Sequence, residues 1–371
     1  MKFYVKLNIT VEISERIMPL RKLQPSTVDW SKYLKSGNRI FIGSNAAVPN
    51  ALIEGIIAKS QTLHDIEVVH ILTLSNDVWA EEKHRDLFKV NAFFIGGEKI
   101  RNAVKEGRAD YTPTFLSEIP KLFNENILPL DVALIMVSPP DEYGYCSLGV
   151  SVDIIQAAIN KAKYVIAQIN PNMPRTNGHS FVHMNQIHDY VTVKQHLPET
   201  PLPEVDRVTE QVGQYVAMLV ENGATIQIGI GNIPSAVLRY LANHKDLGVH
   251  SELISDGIID LMLSGVINNR KKTFHKGKTV VSFCVGTRRL YKFVDGNPHV
   301  EFYPSEHVNS PVNIARNDNM VSINSAIEVD LTGQVVSDSI GYHFYSGIGG
   351  QVDFIRGASL SKGGKHIIAL L

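Results

Sequence analysis

Residues 249–260 read VHSELISDGIID, and Glu252 is a carboxylate inside an apolar run, four residues before the Asp256-Gly257 step. A carboxylate becomes a useful covalent nucleophile when protein replaces the water around it. The commoner fate of a glutamate is a solvated surface position, here the start of a helix. If LGVH (247–250) is a short strand, Glu252 follows its C-terminal end. That is where open α/β sheets bind ligands.

Two glycine-rich stretches offer backbone amides to a developing negative charge. In QIGIGNIPSAV (227–237) a strand runs into Gly229-Ile230-Gly231, and a helix begins near Asn232 with Pro234 in its first turn. Asn ahead of Pro suits a helix start, and free amides there attract anions. The pattern is not a complete G-x-G-x-x-G, so a tight strand-to-helix turn explains it equally well. In YSGIGGQVDFIRGA (345–358), Gly347, Gly349 and Gly350 form a loop able to act as an anion nest; a glycine-rich hairpin is the plainer alternative.

Other candidates carry less. His179, His183 and His188 fall close together in NGHSFVHMNQIH (177–188). Without an H-E-x-x-H they read as loop histidines, so no metal is expected. The basic run NNRKKTFHKGK (268–278) reads as a solvated turn. Cys146 and Cys284 are far apart, lack a C-x-x-C partner and read as structural thiols in a reducing compartment.

The elements that position these groups alternate strand and helix. Buried-strand candidates are 39–43, 66–75, 91–97, 131–140 and 164–170, with helices such as 152–162 between them. Three prolines in 197–206 mark a linker. The alternation then restarts with a helix at 207–222 and strands at 224–230, 279–286, 320–330 and 366–371. This spacing predicts βαβ units and a mainly parallel sheet in each of two α/β domains, 1–198 and 207–371. A net charge of −1 provides no field for nucleic acid, and no apolar run is long enough to span a bilayer. MKFYVKLNITVEISERIMPL lacks the apolar core of a signal peptide, so the expected location is the cytoplasm.

Together and in this order the motifs resemble the acetyl-CoA hydrolase/transferase family of CoA-transferases, which includes 4-hydroxybutyrate CoA-transferases. The match runs through VSPPDEYGYCSLGVSVD (137–153), INPNMPRT (169–176), GIGNIPSAVL (229–238), LGVHSELISDGIIDL (247–261), residues 308–335 and YSGIGGQVDF (345–354). The resemblance implies two similar mixed or parallel-sheet α/β domains of CoA-transferase type, with the active site between them, in a homodimer or higher oligomer. It makes Glu252 the nucleophile, the glutamate of H-[ST]-E-x-x-x-D-G. It assigns the Ile230 amide and an amide of the second glycine loop, taken as Gly349, to the oxyanion. Gly229, Gly231, Asn232, Gly347 and Gly350, with Asn45 and Pro49 of GSNAAVP (43–49), become contacts of a coenzyme A substrate. The partners are then an acyl-CoA and a short carboxylate. Family members continue beyond HIIALL by some tens of residues. An acyl-CoA hydrolase on the same site and, owing to that early end, a non-catalytic CoA-binding protein stand beside the transferase reading. A Rossmann dehydrogenase is disfavoured by the incomplete glycine pattern.

Overall fold

The computed structural model describes residues 28–371. The N-terminal segment read above against a signal peptide lies outside them, as does the beginning of the expected 1–198 domain.

Seven parallel strands form the first sheet, in the order Asp189–Thr192, Tyr164–Ile169, Val132–Val137, Arg39–Ile42, Ile66–His70, Phe88–Ala92 and Ala109–Tyr111. Val132–Val137 is buried at every position, which explains its unbroken apolar run: helices cover both faces of a parallel sheet. Helix Asn50–Ile57 buries Leu52, Ile53 and Ile56. The strand expected at 91–97 lies earlier. Phe88 and Val90 are buried and alternate with exposed Lys89, while Phe93 to Gly97 leave the sheet as a loop.

The second sheet is also parallel, in the order Gly248–Val249, Thr225–Ile228, Met320–Ser325, Lys365–Ala369. Past Val249 the pairing moves to a new neighbour. His250 bridges Val280, and Leu253–Ile254 pairs with Phe283–Cys284. Glu252 therefore follows the short strand at 247–250, as expected, and lies between it and a second strand, Leu253–Ile254, that belongs to a different sheet.

A strand from the first half completes this region. Asn177–Gly178 pairs with Val300–Phe302, which pairs with Thr279–Val281. Gly178 has φ +94°, and a Cβ there would meet the Phe302 backbone. One apolar core runs continuously through both halves, from Phe41 to Ala369. The proline-rich 197–206 stretch has no helix or strand, yet it is tied down: Tyr291 Oη donates to Pro198 O at 2.6 Å and Thr200 N to Gly286 O at 2.9 Å.

The basic run departs furthest from expectation. Lys272 is only 2% exposed, and its Nζ donates to the carbonyls of Val249 and Lys278, both at 2.7 Å. It clips the strand that leads to Glu252.

Candidate active site

Glu252 is held from three sides. Its carbonyl accepts from Ser282 N at 2.8 Å and Phe283 N at 3.2 Å, which fixes the backbone. Asn309 Nδ2 donates to Oε2 at 2.9 Å. Gly350 packs so closely that a Cβ would run into Oε2 and Asn309 Nδ2. Burial pushes the Glu252 carboxyl up to about 7, Asn309 opposes that shift, and the charges of Asp353 and Asp153 add to it. A carboxylate poised near neutrality, with one donor holding one oxygen, leaves the other oxygen for attack.

Two cavities meet at this carboxylate. The larger, about 180 Å³, is lined by Gly229, Gly347, Gly350, Gln227, Asn324 and Gln351 among others. Gln227 and Asn324 exchange side-chain bonds at 3.3 and 3.1 Å. The smaller, about 40 Å³, is apolar apart from Asn45, Thr114 and Glu252, and Gly349 forms part of its wall.

The second glycine stretch is a loop, not a hairpin, and it opens helix Gln351–Leu360. The first half of the chain holds it: Ile348 N donates to Tyr111 Oη at 3.0 Å, and Leu116 N donates to Gly349 O at 3.0 Å. Gly349 sits at φ +56°, where side chains are strained. The amides of Gly347, Gly349 and Gly350 have no acceptor among the described residues.

In the first glycine stretch, Gly231 has φ +115° and caps helix Asn232–Tyr240. Asn232 is thus the first helical residue and not the cap, and its side chain makes no capping bond. Of that turn only Gly229 lines the larger cavity; Ile230, Gly231 and Asn232 do not line it and are exposed, Ile230 at 41%. Pro49 lines neither cavity. It is buried ahead of helix Asn50–Ile57.

Asn45 is fully buried at φ +51°. Its Nδ2 donates to Ser151 Oγ at 2.8 Å and Asp153 Oδ2 at 3.2 Å. Asp153, also fully buried, accepts from Ser44, Ser151 and the Ile154 amide as well. The histidines expected in loops serve local structure: His183 caps a short 3₁₀ turn and His188 Nδ1 accepts from Val165 N. Both cysteines are buried.

Asn309 and Asp153 were not among the expected site residues. Both lie inside motifs of the family pattern, but nothing local marks them. Asn309 meets Glu252 across 57 positions, and Asp153 meets Ser44 across 109.

Two parallel-sheet α/β halves with a half-buried carboxylate and glycine loops at their junction define a class, and the comparisons agree with it. Residues 20–205 match the acetyl-CoA hydrolase/transferase N-terminal domain, and residues 286–371 match the C-terminal domain. The chain belongs to the acetyl-CoA hydrolase/transferase family. It is 51% identical to a 4-hydroxybutyrate coenzyme A transferase of Clostridium kluyveri, over 91% of this chain and 78% of that protein. It is 48% identical to a succinyl-CoA:acetate/propanoyl-CoA:succinate CoA transferase of Fasciola hepatica, over 91% and 71%. Among solved structures, a 4-hydroxybutyrate CoA-transferase from Porphyromonas gingivalis superposes with TM-score 0.81 at 35% identity, covering 94% of this chain and 80% of that one. RipA from Yersinia pestis superposes at 0.87 with 32% identity, covering 93% and 80%. Glu252 lies between the two matched segments and inside the longer likeness to these relatives.

Proposed function

We propose that this protein is a CoA-transferase that moves CoA between an acyl-CoA and a short-chain carboxylate such as acetate, butyrate or 4-hydroxybutyrate. The observation that carries the reading is Glu252, desolvated, bonded to Asn309 and open to two cavities at once. The names of the similar proteins support the same chemistry.

In this mechanism a Glu252 oxygen attacks the thioester carbonyl. The C–S bond breaks, and CoA thiolate leaves an acyl-glutamyl anhydride. The thiolate then attacks the glutamyl carbonyl, the C–O bond breaks, and the freed carboxylate departs from a glutamyl-CoA thioester. An incoming carboxylate repeats the steps in reverse, which requires ping-pong kinetics. Each tetrahedral intermediate carries an oxyanion that needs fixed donors. The Ile230 amide and an amide of the 347–350 loop are assigned that task. The unclaimed loop amides support it. Ile230 stands outside the larger cavity's wall and would have to turn inward with substrate.

On this reading the enzyme uses CoA as substrate, needs no metal, consists of domains 1–198 and 207–371, and works as a cytoplasmic homodimer or higher oligomer. The test is peptide mass spectrometry after brief incubation with acetyl-CoA or butyryl-CoA. A CoA thioester on the Glu252 peptide, absent in Glu252→Gln, is the expected result. Normal CoA binding with no adduct would overturn the mechanism. Release of free thiol without exchange to an added carboxylate would make the chain a hydrolase, the activity named in a Neurospora crassa relative at 26% identity.

A further inference from the structure

Asp353 is 1% exposed and lies in the first turn of helix Gln351–Leu360, just past Gly350. Its donors come from the other half of the chain. Ser117 N donates to Oδ2 at 3.1 Å and Ser117 Oγ to Oδ1 at 2.8 Å, across 236 positions. The preceding residue, Leu116, donates its amide to Gly349 O at 3.0 Å. Two consecutive residues thus grip the chain on either side of Gly350. In a trans peptide the N–H points opposite to the C=O. Holding Gly349 O against Leu116 therefore turns the Gly350 amide away from Leu116, and that amide has no acceptor among the described residues. Gly350 is also the residue packed against the Glu252 carboxylate.

Ser117 requires only an acceptor, and an asparagine would provide one without a charge. A buried carboxylate is costly unless a cation pairs with it. Burial pushes the Asp353 carboxyl up to about 6; Ser117 opposes this, Glu118 adds to it, and Arg356 opposes it from an exposed position. Asp353 is thus ionised at neutral pH. Its charge falls on Glu252, where it and the charge of Asp153 act with burial and against the Asn309 bond. A like charge destabilises the ionised Glu252, which makes that carboxylate a stronger base and nucleophile. Perturbed groups in this arrangement gather at functional sites.

We infer that Asp353 is a positioning residue for the reaction: its charge keeps Glu252 reactive, and its clamp to Ser117, beside Leu116, fixes the aim of the Gly350 amide at the substrate. The inference rests on the transferase reading above and adds to it a residue that acts through Glu252 and the loop without touching substrate.

The test is transfer from butyryl-CoA to acetate, with kcat and KM measured from pH 5 to pH 9 in two variants. Asp353→Asn keeps an acceptor for Ser117 N and a polar partner for Ser117 Oγ, so it removes the charge and leaves the clamp. Its kcat/KM midpoint should move acidward from that of the unaltered protein by roughly half a pH unit or more. Loss of packing alone would not move that midpoint. Ser117→Ala removes one bond of the clamp and leaves the carboxylate in place. Its kcat at pH 8 should fall about tenfold, with KM for both substrates within about twofold. Because Ser117→Ala leaves Asp353 unaltered, it tests the clamp even where the asparagine variant does not fold. An Asp353→Asn profile that superimposes on the unaltered one, or moves alkaline, would overturn the inference while leaving the transferase intact. So would an unchanged kcat in Ser117→Ala. No transfer by the unaltered protein would overturn the transferase reading itself.

Discussion

Replacing Glu252 by glutamine should stabilise the protein, and should do so mainly at high pH. Burial carries this carboxyl from an ordinary 4.5 to about 7 in the folded chain. The folded value is raised, so the protonated form is favoured on folding. Relative stability is therefore fullest below the unfolded value and is lost as pH rises from about 4.5 through 7. At about 1.4 kcal/mol per tenfold, the ionised carboxylate costs the folded state roughly 3 kcal/mol at pH 8 and about 1 kcal/mol at pH 5. Glutamine is neutral and keeps an oxygen for the Asn309 donor, so it removes this cost and retains the bond. For a chain of this length the usual unfolding entropy turns 3 kcal/mol into about 4 °C. Thermal melts of both proteins at pH 5 and pH 8 check it. Glu252→Gln should melt about 4 °C higher at pH 8 and about 1 °C higher at pH 5. An equal difference at both pH values, or a variant less stable at pH 8, would refute the argument that Glu252 is desolvated.

The same carboxyl sets the pH profile. First-half transfer should rise tenfold per pH unit below about 7 and level off above it, and a flat profile from pH 5 to 8 would contradict that. Asn309→Ala removes a bond that favours the ionised form, so it should move the midpoint upward and lower the rate at pH 7. Gly350→Ala has no backbone strain to explain a defect, because Gly350 sits at φ −103°. Its methyl displaces Glu252 and Asn309, so kcat should fall by about 100-fold or more while CoA still binds. Burial pushes the Cys146 thiol up to about 12 and the Cys284 thiol higher still. An aromatic disulfide reagent should therefore titrate neither thiol in the native protein, and both after denaturation.

Much of the architecture was legible in the linear chain, because it rests on local rules. Val132–Val137 announces a doubly covered strand by its composition. Gly231 ahead of Asn-Ile-Pro marks a helix start wherever the chain places it. The family pattern around Glu252 and the 347–350 loop singled out Glu252, Gly347, Gly349 and Gly350, which line the cavities. Local rules fail where a residue's role depends on what arrives from elsewhere. Lys272 lies in a run of charges that reads as solvated, yet its amine is received by the carbonyls of Val249, 23 positions away, and of Lys278. Phe93 and Phe94 extend an apolar run that reads as strand, and they leave the sheet to wall the site.

The sequence by itself determined two alternating α/β halves and the family pattern whose motif singles out Glu252. Only the tertiary structure decided that Asn309 would hold Glu252 and that Gly350 would press against it. The same is true of the Asp153 network that orients Asn45. The physical reason is separation along the chain. Propensity and capping act over a few residues, whereas the pairing of the Glu252 side chain with Asn309 spans 57 positions.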